Sequence, residues 1–121
     1  MSKTLQNLVE KALKTGYANL NGRMRAYGYI GKLESKYKIH YNKNFDTLVV
    51  HHWGTCILTI KNLYTEPIVT RFYGQSKSDR DALTFIFNYF STGYSASYRP
   101  SIGKFSVLAD FGKDRLEERT V

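Results

Sequence analysis

The sequence VVHHWGTCILTI brings together two imidazoles, an indole and the only thiol of the chain. Imidazole and thiolate groups ligate zinc and serve in nucleophilic catalysis. Adjacent strand residues such as His51 and His52 point to opposite faces, however, whereas metal ligands must converge on one point. His52 and Cys56 share one parity across Gly54, but together they make only half of a site. We therefore predict a strand with a structural, buried Cys56, and leave open whether His51 and Trp53 form a contact surface.

A second polar cluster, GQSKSDRD, precedes an apolar helical pattern. Free backbone N–H groups at a helix start can hold a phosphate. The cluster lacks the Gly-x-x-x-x-Gly-Lys-Ser/Thr spacing of a nucleotide-binding loop, and Asp79 and Asp81 already place negative charge there. The pattern favours a self-capped helix with Ser78 as its N-cap.

Cations and aromatic rings alternate between positions 23 and 43. Sheets that bind single-stranded nucleic acid combine Lys or Arg, which contact phosphates, with rings that stack on bases. The alternative is structural, since Tyr is a strong β-former and Lys protects edge strands from aggregation. Tyr94, Tyr98 and Arg99 extend the surface if the last hairpin lies beside it. The candidate residues for binding nucleic acid or another partner are Arg23, Arg25, Tyr27, Tyr29, Lys32, Lys36, Tyr37, Lys38, Tyr41 and Lys43.

The positive charge of the chain is concentrated at its start. The net charge is +8, and residues 1–45 carry nine Lys or Arg and two Glu, a net +7. A basic third of a small domain is typical of a surface that meets phosphates or an acidic partner. A solvated surface is the competing interpretation.

Length and composition restrict the class of protein. The 121 residues suffice for one domain, and an aromatic content of 15% is incompatible with a disordered chain. No apolar run approaches about 18 residues, so we expect no membrane span. The first twenty residues do not resemble a signal peptide, and one cysteine fits a reducing compartment. We predict a cytoplasmic protein without cofactor or metal.

Hydrophobic periodicity outlines the elements that hold these residues. Apolar residues at helical spacing predict a helix over Thr4–Lys14 that Ser2 or Thr4 caps and Gly16 ends. Leu20-Asn21-Gly22 predicts a turn. In SKYKIHYNK, the tyrosines and Ile39 alternate with cations, which predicts a half-buried strand with a cationic outer face.

The second half predicts further strands and one more helix. The strand VVHHWGTCILTI bends or bulges at Gly54, EPIVTRFY forms another strand, and a helix near 78–90 is closed by Gly93. Two short strands joined by Pro100-Ser101-Ile102-Gly103 form a terminal hairpin, and the tail 112–121 frays or makes a short helix. The fold class is α+β: one domain, 1–121, with an antiparallel sheet of about five to seven strands and two helices packed on it.

The segment from Leu48 to Val107 resembles small uncharacterised proteins of phage, viral and plasmid genomes. The resemblance lies in VVHHWGTCILTI, FYGQSKSDRDALTFIF and GKFSV. At the helix start this chain departs from the family, because it has GQSKSD where many relatives have a Gly-rich turn and TTK. The resemblance implies a mobile-element origin and a small binding protein, in one form an antagonist of a host defence such as a CRISPR nuclease. It implies no catalytic residue.

Three functions therefore stand side by side. The first, which we favour, is a non-enzymatic basic protein of the cytoplasm, the host cytoplasm if it is phage-encoded. It binds nucleic acid or an acidic or nucleic-acid-binding host protein, and its tyrosines would suit a homodimer interface. The second is a sponge for a phosphorylated nucleotide signal. The third is a small hydrolase or nuclease that uses His51 or His52 with an acidic residue.

Overall fold

A computed structural model describes residues 3–26, 29–110 and 116–120, with side chains for 3–22 and 36–108. The predicted single α+β domain with antiparallel pairing and two helices is confirmed. The described elements are α1 (Lys3–Thr15), β1 (Tyr17–Ala26), β2 (Tyr29–Asn42), β3 (Thr47–His52), β4 (Thr55–Lys61), β5 (Ile68–Phe72), α2 (Lys77–Tyr89), β6 (Tyr94–Arg99), β7 (Lys104–Asp110) and β8 (Leu116–Thr120).

The strands divide between two sheets instead of one. The first is a five-stranded antiparallel meander in the order β1-β2-β3-β4-β5, and the second has the order β6-β7-β8. The segment Leu116–Thr120, in the tail for which fraying or a short helix was expected, pairs with β7 instead. None of the helices in the described ranges is long and apolar enough to cross a membrane.

Helix α1 follows its sequence pattern closely. It extends one residue beyond the predicted range at each end and buries Leu5, Leu8, Val9 and Ala12 against the first sheet. Gly16 ends it with φ 89° and donates its N–H to the Ala12 carbonyl over 2.7 Å. Of the two predicted caps, Thr4 lies inside the helix and Ser2 lies outside the described residues.

The turn predicted at Leu20-Asn21-Gly22 is wrong, because β1 continues through it. The register with β2 shifts between Leu20 and Asn21, so a bulge accommodates the residues that favoured a turn. The side chains of Asn19 and Asn21 hydrogen-bond to each other over 2.8 Å beside the bulge. β1 therefore stays paired with β2 as far as Ala26, opposite Tyr29.

The five-stranded sheet has two chemically different faces. The inner face packs on the helices and carries the buried residues Ala18, Tyr37, Ile39, Leu48, Val50, His52, Leu58, Ile60 and Val69. The outer face carries the residues of opposite parity, namely Tyr17, Asn19, Lys36, Lys38, His40, Val49, His51, Trp53, Cys56, Thr59 and Arg71. The predicted cationic outer side of β2 is thus confirmed.

The expected bend at Gly54 is a two-residue hairpin turn between β3 and β4. Trp53 has φ 52° and Gly54 φ 83°, and positive φ at both central residues is the requirement of a type I′ turn. A register shift after Val50 then pairs His51 with Cys56. Cys56 therefore lies half-buried on the outer face, across from His51, and does not share a face with His52 as its parity predicted.

Both ends of α2 differ from the prediction. Ser76, not Ser78, is the N-cap, and its Oγ accepts the Asp79 N–H over 3.1 Å. At the other end Ser91 takes the left-handed position with φ 50°, and the Thr92 N–H reaches the Phe87 carbonyl over 3.1 Å. This arrangement is a Schellman motif, so the helix ends before Gly93.

The second sheet packs on α2 and on the edge of the first. Its hairpin turn lies at residues 100–103, as predicted. The Tyr94 hydroxyl accepts the Val69 N–H over 3.3 Å, which links β6 to β5. The buried Phe105 ring lies against the backbone at Gly74, where a Cβ would approach the ring closer than van der Waals contact allows.

We expect Gly74→Ala to destabilise the protein by about 1–3 kcal/mol, because the added methyl group overpacks the Phe105 ring. Urea unfolding measures the loss. In a Phe105→Leu background, where the ring is removed, the same substitution should cost clearly less. An equal cost in both backgrounds would contradict the packing explanation.

Candidate nucleic-acid interface

The outer face is a grid in which the strand register sets every neighbour. One row across the sheet is Tyr17, His40, Val49, Thr59 and Arg71, and the next begins with Asn19, Lys38, His51 and Cys56. Neighbours along such a row have Cβ atoms about 4.5–5.5 Å apart. The pairing therefore brings together cations that are far apart in the sequence.

Positive charge converges on the centre of this grid, at His51. Burial lowers the pKa of His51, and His40, Lys38 and Arg71 lower it further because they disfavour another positive charge. These groups come from β2, β3 and β5, and the side chains of Lys38 and Arg71 are exposed. An anion on this surface would meet several donors together.

Aromatic rings lie at two corners of the outer face. Tyr17 is 42% exposed, and its ring centroid lies 4.8 Å from that of His40. Further along β1 the Trp53 indole covers Gly22, because a Cβ there would come within 3.1 Å of Trp53 Cη2. The backbone N–H of Trp53 donates to the Lys36 carbonyl over 2.8 Å, and this bond holds the β3–β4 turn against β2.

The structure brings only some of the predicted binding residues to this surface. Lys36 and Lys38 lie on the outer face, and Lys43 is exposed in the β2–β3 turn. Arg23, Arg25, Tyr29 and Lys32 are strand residues whose side chains are not described, and Tyr27 lies outside the described residues. Their roles remain predictions.

Tyr37 and Tyr41 do not share a face with the lysines. Tyr37 is 8% exposed and stacks on His52, with the ring centroids 4.6 Å apart. The Tyr41 hydroxyl donates to Asp46 Oδ1 over 2.7 Å, and burial, followed by this bond, raises the pKa of Tyr41 to about 12. Strand parity places both rings on the inner side, so neither forms an open stacking surface on the outer face. The Lys36 side chain nevertheless reaches round the strand, and its Nζ lies over the Tyr37 ring, 5.8 Å from the ring centroid.

The proposed extension through the last hairpin does not follow the predicted layout either. Tyr94, Tyr98 and Arg99 belong to β6, in the second sheet. Tyr94 is buried against Phe87, and the Tyr98 ring packs against Phe105. The rings of both tyrosines therefore pack against core residues and do not extend the outer face.

A buried pair between His52 and Asp79 was not predicted from the sequence. His52 Nδ1 lies 2.7 Å from Asp79 Oδ1, with the two side chains 6% and 11% exposed. Asp79 also accepts the Gln75 N–H over 3.1 Å. Burial would raise the pKa of Asp79, but the hydrogen bonds from His52, Gln75 and Ser76 outweigh it and lower the pKa. The Ser76-x-x-Asp79 spacing is typical of a capped helix start, but it does not identify His52 as the partner of Asp79.

Within the described residues, neither the thiol nor a set of metal ligands lies beside this pair. His52 Nε2 is buried and has no hydrogen-bond partner within the described part of the chain, while Cys56 lies on the opposite face. Among the same residues no group of three or more His, Cys, Asp or Glu is placed to hold a metal ion. The hydrogen bond between His52 and Asp79 connects the first turn of α2 to β3.

Comparison with family models, curated proteins and solved structures finds no match to this chain. The resemblance to phage and plasmid proteins therefore remains a prediction, and the function has to be inferred from the surface itself.

We expect Asp79→Ala to cost about 3 kcal/mol of unfolding free energy, because it leaves His52 buried without a partner and removes an N-terminal acceptor of α2. Asp81→Ala is the matched control. Asp81 pairs with Arg80 over 2.8 Å in the same turn, but the two side chains are 34% and 39% exposed, so we expect a loss of about 0–1 kcal/mol. Similar losses in both variants would contradict the role of the buried pair.

The contribution of Asp79 should also disappear in acid. Because the folded state lowers the pKa of Asp79 below the ordinary 3.8, the stabilisation is complete above that ordinary value and is lost as the pH falls through the folded-state pKa. Urea unfolding between pH 7 and about pH 2 should show the gap between wild type and Asp79→Ala narrowing only at the acidic end. A gap that stays constant would show that ionised Asp79 contributes nothing.

Proposed function

We propose that this protein is a non-enzymatic binding protein whose outer face contacts the phosphates of nucleic acid. The observation that carries the proposal is the convergence of the cations Lys38 and Arg71 around the imidazoles of His40 and His51 on one sheet face. Phosphate contacts by Lys and Arg supply most of the affinity in sequence-independent binding.

The cations of this face are not neutralised by the described side chains. The ion pairs between described side chains are His52–Asp79 and Arg80–Asp81, and neither lies on the outer face. Among the outer-face residues whose side chains are described, none is a carboxylate; Glu34 pairs with Gly22 in the part of β2 where only the backbone is described. An unpaired basic surface attracts polyanions over a distance of about 8–10 Å at ordinary salt.

The rings at the edges of the face favour nucleic acid over an acidic protein as the partner. Tyr17 and Trp53 are partly exposed beside cations, and rings beside a basic groove are the usual means of holding unpaired bases. The resemblance implies a narrower role within this proposal, that of an antagonist of a host defence. The protein would act in this way as a monomer or as a homodimer.

The test is a charge reversal with a matched control. Lys38→Glu with Arg71→Glu should lower the affinity for labelled oligonucleotides at least about tenfold and reduce the slope of log K against log salt by about 2. Lys11→Glu with Lys14→Glu makes the same change in net charge on exposed positions of α1, on the other side of the sheet. Fluorescence anisotropy at several salt concentrations measures both.

Two outcomes would contradict the proposal. One is wild-type protein that binds neither DNA nor RNA at low salt. The other is equal weakening in both double variants, because a loss that depends only on net charge would mean that the outer face has no special part in binding.

A further inference from the structure

A depression of about 480 Å³ opens at one end of the outer face, between the β2–β3 turn and the end of β4. It is lined by His40, Asn42, Phe45, Val49 and Lys61, among others. Its volume is within the range of small-molecule sites, about 300–1,000 Å³. The depression adjoins the basic grid, because His40 belongs to both.

Phe45 supplies an uncovered aromatic surface at the rim. It is 73% exposed at the tip of the turn, and no ring contact of Phe45 is recorded among the side chains that are described. A ring with a free face beside a depression can stack on a planar ligand.

Asn42 supplies a fixed hydrogen-bond donor. Its Oδ1 accepts the N–H groups of Asn44 and Phe45 over 3.0 and 3.3 Å. These two bonds fix the orientation of the amide, and Nδ2 makes no hydrogen bond to the described chain. An acceptor on a planar ligand would therefore find an oriented donor here.

The charge of the depression selects an anionic ligand. Lys61 is exposed and contributes a cation, His40 adds an imidazole, and the lining contains no carboxylate. A stacking ring, an oriented amide donor and a cation together fit a planar heterocycle joined to a phosphate.

We infer that this depression takes one unpaired nucleotide of the bound strand, with its base on Phe45 and its phosphate toward Lys61. The inference rests on the proposed function, because the neighbouring phosphates of the strand lie on the outer face. Bases in a duplex are already paired and stacked, so the pocket makes the protein prefer single strands.

The test compares single-stranded and duplex DNA of one sequence by fluorescence anisotropy. Phe45→Ala should weaken single-strand binding about fivefold to a hundredfold, the range for loss of one stacked base, and leave duplex binding within about twofold. Ile102→Ala is the matched control, since Ile102 is another large apolar side chain, 66% exposed, in the turn of the second sheet. It should bind both forms as the wild type does.

Lys61→Glu is a second variant of the same pocket and should weaken single-strand binding more than duplex binding. Circular dichroism confirms that each variant is folded. If both pocket variants bind single strands like the wild type while Lys38→Glu with Arg71→Glu is defective, the pocket inference is overturned and the proposed function stands. Equal weakening for single strand and duplex also overturns it. Wild-type protein that binds neither form overturns both.

Discussion

The register of the three central strands is the constraint on which the rest of the structure depends. The Trp53-Gly54 turn, with positive φ at both residues, sets which residues of β3 and β4 pair. A slip of one residue would transfer every side chain of a strand to the other face. Leu48 and Val50 would then face solvent, and His51 would enter the core. The apolar inner face and the basic outer face are thus two results of one pairing.

The adjacent histidines show how this pairing divides one sequence feature between two roles. His52 points inward, stacks on Tyr37 and holds Asp79 at the start of α2. His51 points outward among cations, where burial and its neighbours lower its pKa. In the cluster of residues that resembled a catalytic site, His52 therefore connects the sheet to α2 in the core, and His51 belongs to the outer face. The connection through His52 also matters to the outer face, since it fixes the helix layer on which the sheet lies.

Local patterns predicted much of this fold. Helical spacing located α1 and α2, and the alternation of Lys36 to Tyr41 predicted a strand with a cationic side. The grouping of Tyr37 and Tyr41 with the lysines as binding residues did not take into account that alternate residues of a strand point to opposite faces. The features that the sequence did not predict depend on contacts between residues that are far apart in the chain. His52 and Asp79 are 27 residues apart, the bulge in β1 shows only through its pairing, and the division into two sheets follows from packing between segments.

Trp53 offers the most direct test of the central claim, because it is the only tryptophan of the chain and its indole lies over Gly22 beside Lys36. A titration with single-stranded oligonucleotide, followed by tryptophan emission, reports events at this surface alone. The account predicts a saturable change in emission whose midpoint moves to higher oligonucleotide concentration as salt rises. Emission that stays constant while anisotropy of the same sample shows saturated binding would contradict the account, because the nucleic acid would then lie elsewhere on the molecule.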